Sequence, residues 1–158
     1  MASESSNRGN QVPPIVATVD IDRPASDVFA YVTDPAHFAE WQENVVSGHV
    51  SAGEPVRVGS KCFTARRVGG AERYSTSEVT ELRPPEAWAT HGIDGPVRAT
   101  VRVRVDPLES ERSRVTISLD FQGFGIGKLL VPLVVRRQAR LESPRNMQRL
   151  RRRLEEPS

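Results

Sequence analysis

The sequence predicts an α+β fold: a curved seven-stranded antiparallel sheet, two short helices, and a long C-terminal helix lying over a cavity. Three observations carry this. Residues 44–122 show no helical period, only alternating runs separated by turn signals. In two of those runs the alternation is unbroken. Val97, Ala99, Val101, Val103 and Val105 interleave with Arg98, Thr100, Arg102 and Arg104, and Val115, Ile117, Leu119 and Phe121 interleave with Arg114, Thr116, Ser118 and Asp120. One dry and one wet face, repeated, is the pattern of an antiparallel sheet. Finally, Gly125 to Glu156 reads as one interrupted helix holding the most apolar run of the chain, Ile126 to Val135.

The first strand, Ile15 to Asp22, alternates Ile15, Ala17, Val19 and Ile21 with Val16, Thr18, Asp20 and Asp22. Arg23-Pro24 ends it, because the residue before proline stays extended and proline suits a first helical turn. Val28, Tyr31 and Val32 then mark a short helix ending near Thr33. Asp34-Pro35 is a cap followed by proline at the first helical position, so a second helix runs to about Trp41. Val45–Val50 is a strand. Ser60–Val68 and Ala71–Leu82 form a hairpin around Gly69-Gly70, a loop suited to a primed turn. Ala87–Ile93 and Val97–Val105 flank Asp94-Gly95, and Ser113–Gln122 is the last strand.

On an unbroken helix Ile126, Leu129, Leu130, Leu133, Val134 and Leu141 share one stripe, with Arg137 in its middle. That stripe is expected to face the sheet. Met147, Leu150 and Leu154 sit about a quarter turn away, and Ser143-Pro144 predicts a kink or a fresh start between the halves. A helix about 10–12 Å wide does not fill a curled sheet from edge to edge, and the space left over is a site for a small molecule.

Composition narrows the function. The N-terminal residues 1–12 are polar and predict a disordered tail, leaving one domain over residues 13–156. No secretory or membrane-spanning run is visible, so the expected location is cytoplasmic and integral membrane insertion is excluded. A single cysteine, Cys62, rules out an internal disulfide, and His37, His49 and His91 lack ligand spacing, so no metal and no cofactor are expected. Gly123-Phe124-Gly125-Ile126-Gly127-Lys128 fails as a phosphate loop, since Gln122 stands where glycine is needed and Leu129 replaces the hydroxyl. Arg136 to Arg153 holds eight arginines against Glu142 alone. Without interleaved aromatics this segment disfavours nucleic acid as partner.

The stretches IDRPASDVFAYVTDPAHFAEWQENV, SEVTELRPPEAWATHGIDGPVRATVRVRV and FGIGKLLVPLVVRRQARLE stand in that order. Together they resemble the START-like, Bet v 1-like superfamily (SRPBCC), in its polyketide cyclase/dehydrase and lipid-transport branch. The resemblance covers about residues 13–156 and implies the helix-grip fold. It implies no particular chemistry, because members include carriers, sensors, cyclases and hydrolases.

The site expected from the residues follows from strand parity. If Gly69-Gly70 is the turn, Phe63 opposes Thr76, Ala65 opposes Tyr74 and Lys61 opposes Glu78. Taking the aromatic face as inward puts Phe63, Tyr74, Thr76 and Glu78 in the cavity. A two-residue Asp94-Gly95 loop sets Trp88 opposite Val101 and points Trp88 inward and His91 outward; an odd-numbered loop reverses them. Val101, Val103, Ile117, Leu119, Leu130, Leu133 and Arg137 complete the lining, with Phe38 and Trp41 at the mouth. The first functional reading is binding of a small hydrophobic or aromatic, lipid- or polyketide-like ligand, and it requires Leu130 and Leu133 to face the sheet. The second is a cofactor-independent polyketide cyclase/dehydratase, which requires Tyr74, Glu78 and Arg137 to converge. The third has the arginine-rich end docking on an acidic protein, nucleic acid or anionic membrane. Oligomeric state is left open.

Overall fold

The computed structural model describes residues 12–51, 55–68 and 70–156. The tail expected over residues 1–12 lies, except for Val12, outside the described residues. Strand β1 (Ile15–Ile21) buries Val19 and Ile21. Pro24 precedes helix α1 (Ala25–Val32), which buries Val28, Phe29 and Val32. The Asp34 side chain accepts from the Ala36 N–H at 3.0 Å and caps a 3-10 turn, Pro35–His37, that runs into α2 (Phe38–Trp41). Five strands then follow as a meander: β2 (Val45–Val50), β3 (Lys61–Val68), β4 (Ala71–Arg83), β5 (Ala87–Gly92) and β6 (Val97–Glu109). Strand β7 (Arg112–Gly123) closes it, and β1 pairs on the far side of β7. The sheet order is β1-β7-β6-β5-β4-β3-β2, all antiparallel, so β1 and β2 are its two edges.

The β3–β4 hairpin pairs Val68 with Ala71, Ala65 with Tyr74 and Lys61 with Glu78, which is the predicted register. Gly70 takes φ +83°, a left-handed value that glycine adopts without a Cβ penalty. Trp88 pairs with Val103 rather than Val101, so the β5–β6 register is displaced by two residues. An even displacement preserves parity. Trp88 therefore lies on the concave side with Val103, and His91 on the convex side, its Nδ1 2.8 Å from Thr100 Oγ1.

Beyond β7 the chain forms a turn of helix, α3 (Gly127–Leu130), a π turn (Val131–Val135), and α4 (Arg136–Glu155). The interruption thus falls at Pro132, not at Ser143-Pro144, through which α4 continues. Pro132 lacks an N–H and its ring crowds the carbonyl one turn back, conditions that favour a wider turn. The π turn takes up one residue, so Gly127 and Leu150, about 140° apart on an unbroken helix, come within roughly 40° of one another. The inward line of the helix is then Gly127, Val131, Met147, Leu150 and Leu154, all buried.

The stripe expected to face the sheet is turned outward. Ile126, Leu129, Leu133 and Leu141 are exposed, Leu133 by 69%. Backbone proximity at Gly127 sets the start of the helix, the Met147, Leu150 and Leu154 side sets its end, and the residues between follow. The core lies where α1 and the end of α4 meet the concave face of β1, β7 and β6, among Val19, Val28, Val105, Val115, Ile117 and Leu150.

At the α1–α2 corner, Tyr31 stacks on His37 and its hydroxyl donates to Glu40 at 3.4 Å, while His37 Nδ1 donates to the other Glu40 oxygen. Burial first, then the Glu40 charge, pushes the Tyr31 pKa up to about 12. The His37 hydrogen bond is the main cause holding Glu40 below the usual carboxylate value of 4.5. A depressed folded-state pKa contributes stability above the unfolded value and loses it as pH falls through the folded one. Glu40→Gln is therefore expected to lower stability at pH 7 by less than about 1 kcal/mol, the corner being largely solvated. In urea melts the difference from wild type should shrink as pH falls below ~4.

Candidate functional site

Helix α4 packs mainly against β1 and α2, and its polar contacts fall on the two sides of the sheet opening. Arg136 Nη2 donates to Pro13 O at 2.6 Å and the Asp22 N–H donates to Glu155 Oε1 at 3.0 Å, both on the β1 side. On the other side Arg153 Nε donates to Glu40 O at 3.2 Å and the Glu43 N–H to Asn146 Oδ1 at 3.0 Å. The helix thus spans from one sheet edge to the α2 end. Seven strands about 4.8 Å apart are roughly 29 Å across, two to three times the width of one helix. The middle of the concave face is left without a helical cover.

Which residues occupy that middle follows from the register. Val19, Val115 and Val105 are aligned on the buried face, as are Ile117, Val103 and Trp88. Stepping by two residues along the same face reaches Leu119, Val101 and Thr90, then Phe121 and Ala99. Val79 pairs with Thr90 and Ser77 with Gly92; Ser77 in turn pairs with Cys62 and Ser75 with Thr64. The concave face therefore has two walls. On β6 and β7 it is apolar, with Ala99, Val101, Leu119 and Phe121 part-exposed. On β3 to β5 it carries hydroxyls: Thr64, Ser75 and Ser77, part-exposed, and Thr90, buried. Thr64 Oγ1 and Ser75 Oγ bond to each other at 2.8 Å.

A charged cluster closes the β3 end. Arg66, on the same face as Thr64, donates from Nη1 to Gln42 Oε1 at 3.3 Å. Glu142 of α4 accepts from Asn44 Nδ2 and, at 2.7 Å, from Gln138 Nε2. Burial pulls the Arg66 pKa down and the Glu142 charge opposes that pull. An arginine remains a cation through such a shift, so this end presents a partly desolvated positive charge beside a carboxylate. Arg73 pairs directly with Arg66 across the hairpin and adds a second guanidinium at the rim. Burial raises the pKa of Cys62 on the same face, which keeps it a thiol rather than a nucleophilic thiolate.

The expected site residues divide three ways. Val101 and Leu119 lie on the uncovered concave face, and Leu130 is half-buried. Phe38, Trp41, Trp88, Val103 and Ile117 are core, the Phe38 ring meeting Trp41 edge-on at 6.1 Å and Trp88 at 6.2 Å. The others are placed elsewhere. Phe63, Tyr74, Thr76 and Glu78 lie on the convex face, because their neighbours Cys62, Thr64, Ser75 and Ser77 hold the concave one. Phe63 stacks on His49 at 5.1 Å, and Tyr74, 77% exposed, donates to Glu72 at 2.9 Å. Leu133 and Arg137 face away from the sheet with the outward side of the helix. In place of Arg137 the neighbouring Arg136 is buried, against β1 rather than in the cleft. Tyr74, Glu78 and Arg137 consequently share no void.

Arg66, Thr64, Ser75, Ser77 and Glu142 were not among the expected residues. A usable signal existed: Val79 is the one strongly apolar residue between Tyr74 and Leu82, and its parity matches Ser75 and Ser77 rather than Tyr74 and Thr76. A bulge between Val79 and Glu81 hides the signal, because it puts Val79 and Leu82 on one face at odd spacing. Among the described residues no group of three or more His, Cys, Asp or Glu side chains is placed to hold a metal ion.

A family model described as "Polyketide cyclase / dehydrase and lipid transport" matches residues 14–155. Among curated proteins the chain is similar to an uncharacterized protein of Mycobacterium tuberculosis, Rv0088, with 30% identity over 111 residues, 68% of this chain and 47% of that protein. The chain thus spans about half the length of the curated relatives it matches. Among solved structures it is similar to the Zhui aromatase/cyclase from Streptomyces sp. R1128, with a TM-score of 0.68, 18% identity, and coverage of 90% of this chain and 95% of that one. A START superfamily protein from Mycobacterium smegmatis gives a TM-score of 0.69 at 14% identity, covering 90% of this chain and 97% of that one. At these identities the structures share the fold, a helix-grip arrangement of sheet and C-terminal helix.

Proposed function

The chain belongs to the polyketide cyclase/dehydrase and lipid-transport family, and from that premise we propose that it binds a mid-sized, oxygen-bearing apolar or aromatic molecule on the concave face. The observation that carries the reading is the division of that face into an apolar wall and a hydroxyl wall ending at Arg66. A plain acyl chain would offer no partner to Ser77, or to the hydroxyl hydrogen left over by the Thr64–Ser75 bond, and each unmet polar group costs about 1–3 kcal/mol. A polyketide-like molecule, with one apolar face and several oxygens, meets both walls. The requirement that Leu133 line the cleft is not met, so the helix contributes Leu130, Gln138 and Glu142 instead. The domain we assign to this role spans residues 13–156.

Native mass spectrometry of protein purified without organic solvent tests the reading. A bound molecule is expected to add its mass to wild type, and Arg66→Met and Ser75→Val should each reduce its occupancy about tenfold. No added mass, together with no saturable binding of oxygenated polycyclic aromatics, would overturn it.

A second reading, a cofactor-independent cyclase or dehydratase, is favoured by one observation. The partly desolvated Arg66 guanidinium lies within electrostatic reach of the Glu142 carboxylate, each held by its own amide partner, Gln42 and Gln138. A guanidinium there could polarise a ketone oxygen while the carboxylate exchanges a proton. Turnover of a poly-β-ketone mimic that Glu142→Gln abolishes without loss of binding would separate it from the first reading.

A further inference from the structure

The outward side of the C-terminal segment is unlike an ordinary solvated helix face. Ile126, Leu129, Leu133, Arg137 and Leu141 follow one another at steps of three and four residues, and all are exposed. Ile126 and Leu129 are 66% and 64% exposed, and Phe124 and Val134 extend the patch at its flanks. Scattered exposed leucines are ordinary, but a contiguous row on one helix marks a contact surface.

Charge selects what it contacts. Lys128, Arg137 and Arg140 border the apolar row and are themselves exposed. Between Phe124 and Leu141 the chain has no acidic residue, and the next one, Glu142, is turned inward to Asn44 and Gln138. A second copy of this chain is a poor occupant. In a two-fold contact the same patch meets itself, gathering Lys128, Arg137 and Arg140 of both copies into one interface with no acidic residue of the patch to neutralise them. An anionic lipid surface satisfies both features, since leucines enter the headgroup boundary while arginines and lysine meet the phosphates. The apolar run between Lys128 and Arg136 is only seven residues, where about 20 are needed to span, so it can lie on a bilayer and not cross it.

We propose that the outward face of residues 124–141 docks this protein on anionic membrane surfaces, Ile126, Leu129 and Leu133 entering the interface and Lys128, Arg137 and Arg140 meeting the headgroups. The proposal does not depend on the identity, or the existence, of a cleft ligand.

Co-sedimentation of the full chain with phosphatidylcholine vesicles, with and without phosphatidylglycerol, tests it. Wild type is expected to partition onto the phosphatidylglycerol vesicles, and less so as salt rises. Leu129→Ser/Leu133→Ser and Arg137→Ser/Arg140→Ser should each weaken that partition by about tenfold. These side chains are exposed, so thermal melts of both variants are expected to match wild type. Three results would each overturn the proposal: no partition onto anionic vesicles, equal partition onto phosphatidylcholine alone, or partition that survives the leucine substitutions in variants that still fold. A concentration-dependent dimer that Leu129→Ser/Leu133→Ser dissolves, without vesicle binding by wild type, would also overturn it and assign the face to a second copy.

Discussion

Leu150→Ala is expected to destabilise the protein by about 2–5 kcal/mol, the range for truncating a fully enclosed leucine. Leu150 has no exposed surface and packs in the cluster that holds Ile21, Val28, Val115 and Met147. Removing three carbons there loses their transfer energy and leaves a hole that walls from three elements cannot all collapse to fill. For a chain of this size that is a fall in Tm of roughly 10 °C. The informative control is Leu133→Ala, on the same segment and in the more apolar half of it. Leu133 is mostly exposed, and its truncation should change stability by less than about 0.5 kcal/mol. Equal effects at both positions in calorimetry would mean that the segment is rotated from the orientation described.

Gly127→Ala is the second change of large effect, and here two forces oppose. Alanine favours a helix over glycine by about 1 kcal/mol. A Cβ at Gly127, however, would stand 1.8 Å from the carbonyl oxygen of Pro96 and 2.7 Å from its carbon. These are backbone atoms at the turn that joins β5 to β6, and no side chain can swing aside to relieve the overlap. Overpacking of this kind costs about 1–3 kcal/mol and occasionally more, and the short distance puts this case at the upper end. The net expectation is a loss of at least about 2 kcal/mol in denaturant melts, with the start of the C-terminal segment displaced from Pro96. Gly127→Ala melting like wild type would show that this approach is looser than described.

These two positions also explain what could and could not be read in advance. Strand pairing was legible wherever one face of the sheet is dry, as in the valines of β6 and β7, because burial allows only one parity there. The β3–β4 hairpin is legible from turn chemistry alone. The cleft wall on β3 and β4 was not, because neither face of that hairpin is dry: the concave face carries hydroxyls and Arg66, the convex face Tyr74 and Glu78. With no apolar majority, the aromatic side of this hairpin does not mark the concave face. The C-terminal segment misled for a different reason. Ile126, Leu129, Leu133 and Leu141 do form one row, from which the half-buried Leu130 departs, but periodicity does not say whether a row meets the sheet or leaves it. A single glycine under Pro96 and an extra residue at Pro132 settle that, and both act through backbone geometry rather than through hydrophobicity.

The pairing of β1 with β7 sets the order in which this chain can become stable. Ile15 lies beside Leu119 and Val19 beside Val115, partners about a hundred positions apart in sequence, and α4 then seals the same edge through Pro13 and Asp22. Strand β1 has no neighbour to join until β7, some ninety residues later, exists. Chains whose decisive contacts are this distant fold in milliseconds to seconds rather than microseconds. Emerging from a ribosome, Ile15 to Ile21 would be an unmated strand until β7 has been made, and Asp20 and Asp22 are the charges that discourage it from pairing with a stranger.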